Sequence, residues 1–333
     1  MATEVVENVR RQLEGMLSRM DAAGEGHLAA DRFGLSPRAF AELTRGGIPT
    51  TAGVIRLRET DEIRNAERLM AQATYLRGVR WLLDRALSTE GLPATRAGYI
   101  APAVVTQAHE ARLVPSITDF DDEPADDARA ASRAAFFDRF RPKKESDWLA
   151  LLRLRNLAES AHLLRLSGRR FQPTETAQRL MDDPVALYRH LLVTGFRTFE
   201  WAEGARFDPT PELHRMAGFL FYAAGELCDA RDGGAAGDSE GTPPWVPVSM
   251  LADRFIAAVP YLAEAVREEE SSEREGRREV FGTRGWARVD VDVFFVDHLG
   301  VQFGLLERND EMGDSAAYRT TPLYDAVFER SEK

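Results

Sequence analysis

Apolar residues recur at intervals of three and four along most of the chain, which is the spacing of helices that bury one face. Between residues 60 and 87 this stripe is long and regular, and it consists of Ile63, Ala66, Met70, Ala73, Leu76, Val79 and Leu83. Thr60 precedes two acidic residues that suit the positive end of a helix dipole, and Gly91 follows the stripe. The pattern predicts one continuous helix over residues 60–87.

The same spacing predicts further helices on both sides of this one. They cover residues 2–20, 101–109, 130–140, 184 onward, 211–228, 247–259 and 260–270, and another opens at Ser36 and Pro37. The chain is therefore expected to be mainly helical.

Two segments combine a helix with a short β-hairpin. Over residues 148–181 a helix leads into a turn of sequence Ser-Gly-Arg-Arg at 167–170, and an extended return leads to Thr174. Residues 288–299 begin with the alternation of a strand but continue with the apolar run of a helix. We favour the helix, because Gly300 then begins a second hairpin, with a return at 317–320. A helix followed by a two-stranded wing is the outline of a winged-helix unit.

A short pattern occurs three times after a predicted helix and strand. Threonine is followed three residues later by a small or aromatic residue, at Thr95 to Gly98, Thr174 to Ala177 and Thr321 to Tyr324. A threonine hydroxyl can cap the helix that follows it. The recurrence predicts several copies of one supersecondary unit.

Length and linkers divide the chain into three predicted domains. A chain of 333 residues favours two or three domains, and two polar stretches, TDFDDEPADD and DGGAAGDSEGTPP, have the composition of linkers. The predicted segments are residues 1–117, with a first winged-helix-like unit, 128–231, with a central one, and 245–333, with a C-terminal one. The expected fold class is mainly α with small β-hairpins, in tandem winged-helix-like units.

Composition narrows the location and the partners. A net charge of −11 repels phosphates over the whole molecule, although one local basic face could still bind them. The single cysteine, the charged N-terminus and the absence of a long apolar run favour a cytoplasmic protein without a membrane partner. Abundant arginine and alanine with few lysines suggest a bacterial source.

The strongest functional hypothesis is a non-enzymatic binding protein of winged-helix type that is nucleic-acid-associated or regulatory. The predicted nucleic-acid-binding residues are arginines on the helix and wing of the central unit, namely Arg153, Arg155, Arg165, Arg169 and Arg170, with Arg141, Lys143 and Lys144 nearby. The C-terminal copy carries Asp290, Asp292 and Asp297 on the matching helix, which would face phosphates unfavourably. It is therefore expected to contact protein instead.

Two alternatives remain open. The first is a protein–protein interaction or scaffold module, including a homodimer, in which the aromatic stretch at 196–207 is either core or interface. The second, more remote, is a HEPN-like ribonuclease, since Arg155 and Asn156 followed by His162 resemble the Arg-polar-x-His signature of that class. His162 is expected to pack at the hairpin. No cofactor, metal site or catalytic residue is predicted, because the six histidines lack metal-ligand spacing and no phosphate-binding or nucleophile motif occurs.

Three stretches carry a resemblance to a known group: GLPATRAGYIAPAVV at 91–105, residues 152–192, and GVQFGLLE followed by YRTTPLYDAVF between 300 and 328. They resemble an uncharacterised group of bacterial proteins built from repeated winged-helix-like units, sometimes fused to plasmid-encoded open-reading-frame domains. In that group the third position of the motif is usually glycine. Here it is glycine in the first copy, at Gly98, but Ala177 and Tyr324 occupy it in the other two copies. The resemblance implies the modular fold and no catalytic residues.

Overall fold

The computed structural model describes residues 48–49, 53–111, 113, 141–197, 210–232, 244–274, 282–309 and 316–332. The predictions of helices at 2–20, after Ser36 and at 130–140, and of the linker at 118–127, fall outside these residues. So does the linker at 232–244, except for its two end residues.

The described part of the chain is mainly helical, as predicted. The helices are α1 (Glu67–Met70), α2 (Thr74–Ser88), α3 (Pro102–Glu110), α4 (Leu149–Ser160), α5 (Glu175–Leu180), α6 (Pro184–Arg197), α7 (Thr210–Asp232), α8 (Val248–Ala258), α9 (Pro260–Arg274), α10 (Thr283–Asp290) and α11 (Pro322–Val327), together with a π-helix at Val291–Val301. Among these helices, none has both the length and the apolar character needed to cross a bilayer.

The prediction of one continuous helix over residues 60–87 is wrong. A 3-10 turn at Arg64–Ala66 and the four-residue α1 precede a break at residues 71–73, and α2 begins at Thr74. The reason is tertiary. The backbone N–H of Tyr75, in the first turn of α2, donates to the carbonyl of Gln302 at 3.1 Å. Within one helix over residues 60–87, the Tyr75 N–H would bond to a carbonyl of the preceding turn. Here it lies at a helix start, and a segment far away in sequence provides its acceptor.

Within the residues that the structure describes, nine short strands form three antiparallel sheets. The strands are β1 (Ile48–Pro49), β2 (Gly53–Leu57), β3 (Leu92–Pro93), β4 (Leu164–Ser167), β5 (Arg170–Pro173), β6 (Val246–Pro247), β7 (Leu306–Asn309), β8 (Ala317–Thr320) and β9 (Phe328–Glu332). The sheet orders are β1-β2-β9, β3-β5-β4 and β6-β8-β7. The last two sheets have the same plan, because a short strand pairs with the returning strand of a later hairpin.

We define the first repeat as residues 74–173 and the second repeat as residues 210–320. Among the described residues of each repeat, a helix precedes the short strand, a second helix follows it, and a further helix leads into the hairpin; α9 is an additional helix of the second repeat. The short strands are Leu92–Pro93 and Val246–Pro247, and their first residues pair with Phe171 and Tyr318 respectively. Strand β3 thus joins the first and second of the three segments predicted from the sequence.

The entry to each hairpin also matches. His162 and Gly304 both have positive φ, at 53° and 71°, and each lies immediately before the residue that opens the hairpin. In the first repeat the Leu163 N–H donates to the Ala158 carbonyl, and in the second the Leu305 N–H donates to the Gly300 carbonyl. This is the glycine-type end of a helix, which His162 adopts without being glycine.

Threonine closes both hairpins as the sequence predicted. Thr174 caps α5 by accepting from Ala177 N, and Thr321 caps α11 by accepting from Tyr324 N. The prediction for Thr95 is wrong, because its Oγ1 accepts from Tyr99 N within a tight turn and α3 begins only at Pro102. Gly98, with φ of 80°, lets the chain turn there instead.

The two repeats are joined through Phe303, which is fully buried. Its ring lies edge-on to Tyr75 at 5.1 Å and to Tyr188 at 6.1 Å between centroids. The Tyr188 hydroxyl donates to the Phe303 carbonyl at 2.8 Å. Buried apolar residues of both repeats belong to one hydrophobic cluster, so a common core holds them together.

Candidate nucleic-acid interface

The hairpin of the first repeat projects two arginines into solvent. Strands β4 and β5 are connected through Gly168, whose φ of 61° suits a residue without a Cβ, and no other described part of the chain would lie within 4 Å of a Cβ there. Arg165 and Arg169 are exposed and form no ion pair with another described residue. We call this hairpin the wing, and no other described part of the chain covers its tip.

Arg170 anchors the wing instead of extending it. Its Nε donates to the carbonyls of Glu90 and Gly91 at 3.0 and 3.1 Å, and its Nη2 donates to Gly91 and Thr89. These carbonyls follow the C-terminal end of α2, where a positive charge is favourable. The half-buried guanidinium thus fixes the base of the hairpin against α2.

Arg155 lies inside the first repeat. Its Nε donates to Glu145 at 2.8 Å, its Nη1 pairs with Glu159, and its guanidinium stacks 5.2 Å from the centre of the Phe171 ring. Glu145 is fully buried and also accepts from Ile100 N at 2.7 Å. Burial raises the pKa of Glu145, and the charge of Arg155 opposes that rise. The guanidinium is part of a buried ion pair and is not exposed to a ligand.

Arg153 points toward the second repeat. One of its Nη atoms lies 2.7 Å from Nε2 of His298, which is 4% exposed. Burial, and then the charge of Arg153, lower the pKa of His298 to about 3. The imidazole is therefore neutral at ordinary pH, and its Nε2 accepts the hydrogen bond from the guanidinium.

The structure thus divides the five predicted arginines into two groups. Arg165 and Arg169 remain on the surface, whereas Arg153, Arg155 and Arg170 hold the first repeat together or attach it to the second. Arg141, Lys143 and Lys144 are exposed, and Lys144 lies 3.6 Å from Asp147.

Arg96 is a further exposed cation, and the prediction from the sequence did not include it. It sits in the turn between Thr95 and Gly98, so the recognised motif contained the signal. Ala94 N donates to the Arg169 carbonyl, and Ile100 N donates to Glu145, so the turn contacts both the wing and the segment before α4. We use the name basic face for the exposed cations of the wing, of the turn at 95–98 and of the segment before α4, namely Arg96, Arg141, Lys143, Lys144, Arg165 and Arg169.

The local charge of the two repeats differs in sign. Residues 141–173 contain eight Lys or Arg and three Asp or Glu, a formal charge of +5 within a chain of −11. The matching residues 283–320 contain four Lys or Arg and seven Asp or Glu, a formal charge of −3. An anionic ligand is therefore attracted to the first repeat and not to the second.

Asp290, Asp292 and Asp297 of the second repeat were expected on an exposed helix face, but each is buried or bonded to another side chain. Asp290 is 3% exposed, and burial raises its pKa to about 6. Asp292 pairs with Arg308 at 3.1 Å, and Asp297 accepts from Gln302 at 3.2 Å. The prediction placed Asp290 on an exposed helix face, where it would oppose a phosphate, but its side chain is packed inside the second repeat.

The residues of the ribonuclease alternative are not assembled into a site. Arg155 is buried between two glutamates, whereas His162 is exposed beyond the end of α4. The expectation that His162 packs at the hairpin is also wrong, because its side chain is exposed. Within the described residues, no group of three or more His, Cys, Asp or Glu is placed to hold a metal ion.

No protein-family model, curated protein or solved structure shows significant similarity to the chain.

Proposed function

We propose that the protein is a non-enzymatic, nucleic-acid-associated binding protein of winged-helix type, located in a bacterial cytoplasm. The first repeat would bind the nucleic acid, and the second would support it. Among its described residues, the first repeat has the order helix, strand, helix, helix, hairpin, with the short strand beside the returning strand, which is the arrangement expected of a winged helix. It also agrees with the resemblance to bacterial proteins of repeated winged-helix-like units.

The observation that carries the proposal is the exposed basic face on a protein that is otherwise acidic. Lysine and arginine side chains bind phosphate oxygens from wings and from helix starts. The wing tip carries Arg165 and Arg169, and the start of α4 is preceded by Lys143 and Lys144. Arg155 and Arg170 hold these elements in place from behind.

Fluorescence anisotropy with a labelled duplex of about two helical turns tests the proposal at low salt. The double variant Arg165→Glu, Arg169→Glu is expected to weaken binding at least tenfold, since it reverses two charges at the contact. The matched control is Arg68→Glu, Arg254→Glu, which changes the net charge equally at exposed positions elsewhere. Equal losses in both variants would mean that overall charge, and not this face, governs binding.

The interaction-module alternative makes a different prediction. A scaffold that uses another surface would bind its partner equally well in the wing variant and would show no retention of duplex at 50 mM salt. Light scattering of the free protein reports whether that partner is a second copy of the chain.

A further inference from the structure

Helix α4 stands immediately before the basic wing. In winged-helix proteins that recognise a DNA sequence, the helix in this position reads the bases. All its residues are described, so its polar side chains can be followed one by one. Arg153 is bound to His298, while Arg155 and Glu159 are bound to each other. Asn156 and Ser160 are the remaining polar side chains of α4, both are half-buried, and neither forms a side-chain hydrogen bond within the described part of the chain.

The N-terminal turn of α4 is apolar. It reads Leu-Ala-Leu-Leu from residue 149 to residue 152, and Leu149 is 59% exposed. Base edges in the major groove are read by hydrogen-bonding side chains such as arginine, asparagine and glutamine, most often near the start of the helix. This turn offers none of them.

The groups that remain available are of the kind that bind the backbone. The basic face consists entirely of lysine and arginine side chains on the wing, on the turn at 95–98 and on the segment before α4. The wing tip at Gly168 is clear of other described parts of the chain. Phosphate contacts position a protein on a duplex but carry no sequence information.

We propose, on the basis of the function proposed above, that the first repeat binds duplex DNA through its phosphate backbone, led by the wing, and does not read the base sequence. The two arginines that could have read bases from α4 are used inside the protein. Binding energy then comes from the release of counterions around the neutralised phosphates.

The test measures Kd for the full chain with three 20-bp DNA duplexes of AT-rich, mixed and GC-rich sequence, between 50 and 200 mM NaCl. We expect the Kd values to agree within about threefold. The logarithm of the binding constant should fall with the logarithm of salt with a slope of about −4 to −5, as for roughly five phosphate contacts. Arg165→Gln with Arg169→Gln should reduce the steepness of that slope by about 2, and Asn156→Ala should leave all three Kd values unchanged.

The outcomes separate this inference from the proposed function. Absence of binding to any duplex at 50 mM NaCl would reject both. A motif enriched from a randomised duplex pool and bound more than tenfold tighter than the others would reject backbone reading alone. An unchanged salt slope in the glutamine variant would reject the wing as the contact. If an RNA duplex is bound at least tenfold tighter than DNA, the ligand is an A-form duplex, and the choice of DNA is rejected. Thermal unfolding of each variant verifies that it is folded.

Discussion

The hydroxyl of Tyr188, on α6, donates a 2.8 Å hydrogen bond to the carbonyl of Phe303, in the bend that ends the π-helix. Both side chains are fully buried, and the bond connects the elements around the first repeat to the second. Phe303 also contacts Tyr75 in α2. The bend at residues 302–304 is thus a fixed attachment point between the two halves of the described chain.

Removing the Tyr188 hydroxyl tests this attachment. Tyr188→Phe keeps the ring but leaves the Phe303 carbonyl buried without that donor, so we expect a loss of about 1–3 kcal/mol in the free energy of unfolding. Tyr99→Phe is the control, because Tyr99 is 38% exposed and its hydroxyl can bond to water. Urea unfolding followed by circular dichroism measures both. If Tyr188→Phe and Tyr99→Phe unfold at the same urea midpoint, the hydrogen bond between Tyr188 and Phe303 does not stabilise this attachment.

Arg155 is expected to affect stability before it affects binding. Arg155→Met leaves Glu145 buried without its cation, which typically costs about 3–5 kcal/mol. The double variant Glu145→Leu, Arg155→Met removes the stranded charge and should recover part of that loss. The free energy of unfolding decides the question. A fully stable Arg155→Met that no longer binds duplex would instead place the guanidinium at the ligand.

The contact between Arg153 and His298 predicts a specific pH dependence. The pKa of His298 is about 3 when folded and about 6.5 when unfolded, so below pH 6.5 the unfolded chain binds a proton that the folded chain does not. The histidine therefore destabilises the fold progressively as the pH falls from 6.5 toward 3. His298→Gln removes this effect and keeps an acceptor for Arg153.

Thermal melting of both proteins between pH 4 and pH 8 measures the difference. Relative to the glutamine variant, the parent protein should lose about 1.4 kcal/mol per pH unit below pH 6.5. The remaining titratable groups are common to both proteins and largely cancel. Parallel curves over the whole range would show that His298 becomes protonated in the folded protein as readily as in the unfolded one.

The two threonine caps should be worth similar amounts in the two repeats. Thr174→Ala and Thr321→Ala each remove the oxygen that accepts from the start of the following helix, which costs about 1–2 kcal/mol. Serine at either position keeps the hydroxyl and should restore most of the stability. Thr106→Ala, at an exposed position in α3, is expected to change the unfolding free energy by less than about 0.5 kcal/mol. A loss in only one repeat would argue against equivalent caps.

Local signals in the sequence were sufficient for these hairpins and caps. The turn of sequence Ser-Gly-Arg-Arg at 167–170 predicts the first hairpin, and Thr174 and Thr321 stand where a cap is needed. Thr95 has the same local pattern, but Gly98 three residues later takes a positive φ and turns the chain before a helix can start. Local patterns therefore failed where a competing turn was available.

Partners distant in sequence could not be predicted in the same way. The partner of Arg153 is 145 residues away, and the break before α2 depends on Gln302. In the sequence, Arg155 cannot be told apart from the exposed arginines near it. Its contact with the buried Glu145 is what distinguishes it in the structure. Of the five arginines predicted for the interface, Arg153 and Arg170 have roles that depend on partners distant in sequence.

The sheet β1-β2-β9 joins residues near opposite ends of the described chain, since Gly53 pairs with Glu332 and Leu57 with Phe328. The ion pair between Arg56 and Glu329 spans 273 residues of sequence. Closing so large a loop costs more chain entropy than any local pairing, and proteins rich in distant pairings fold slowly. The ladder is therefore expected to assemble only after the intervening helices have collapsed, so its completion marks the last stage of folding.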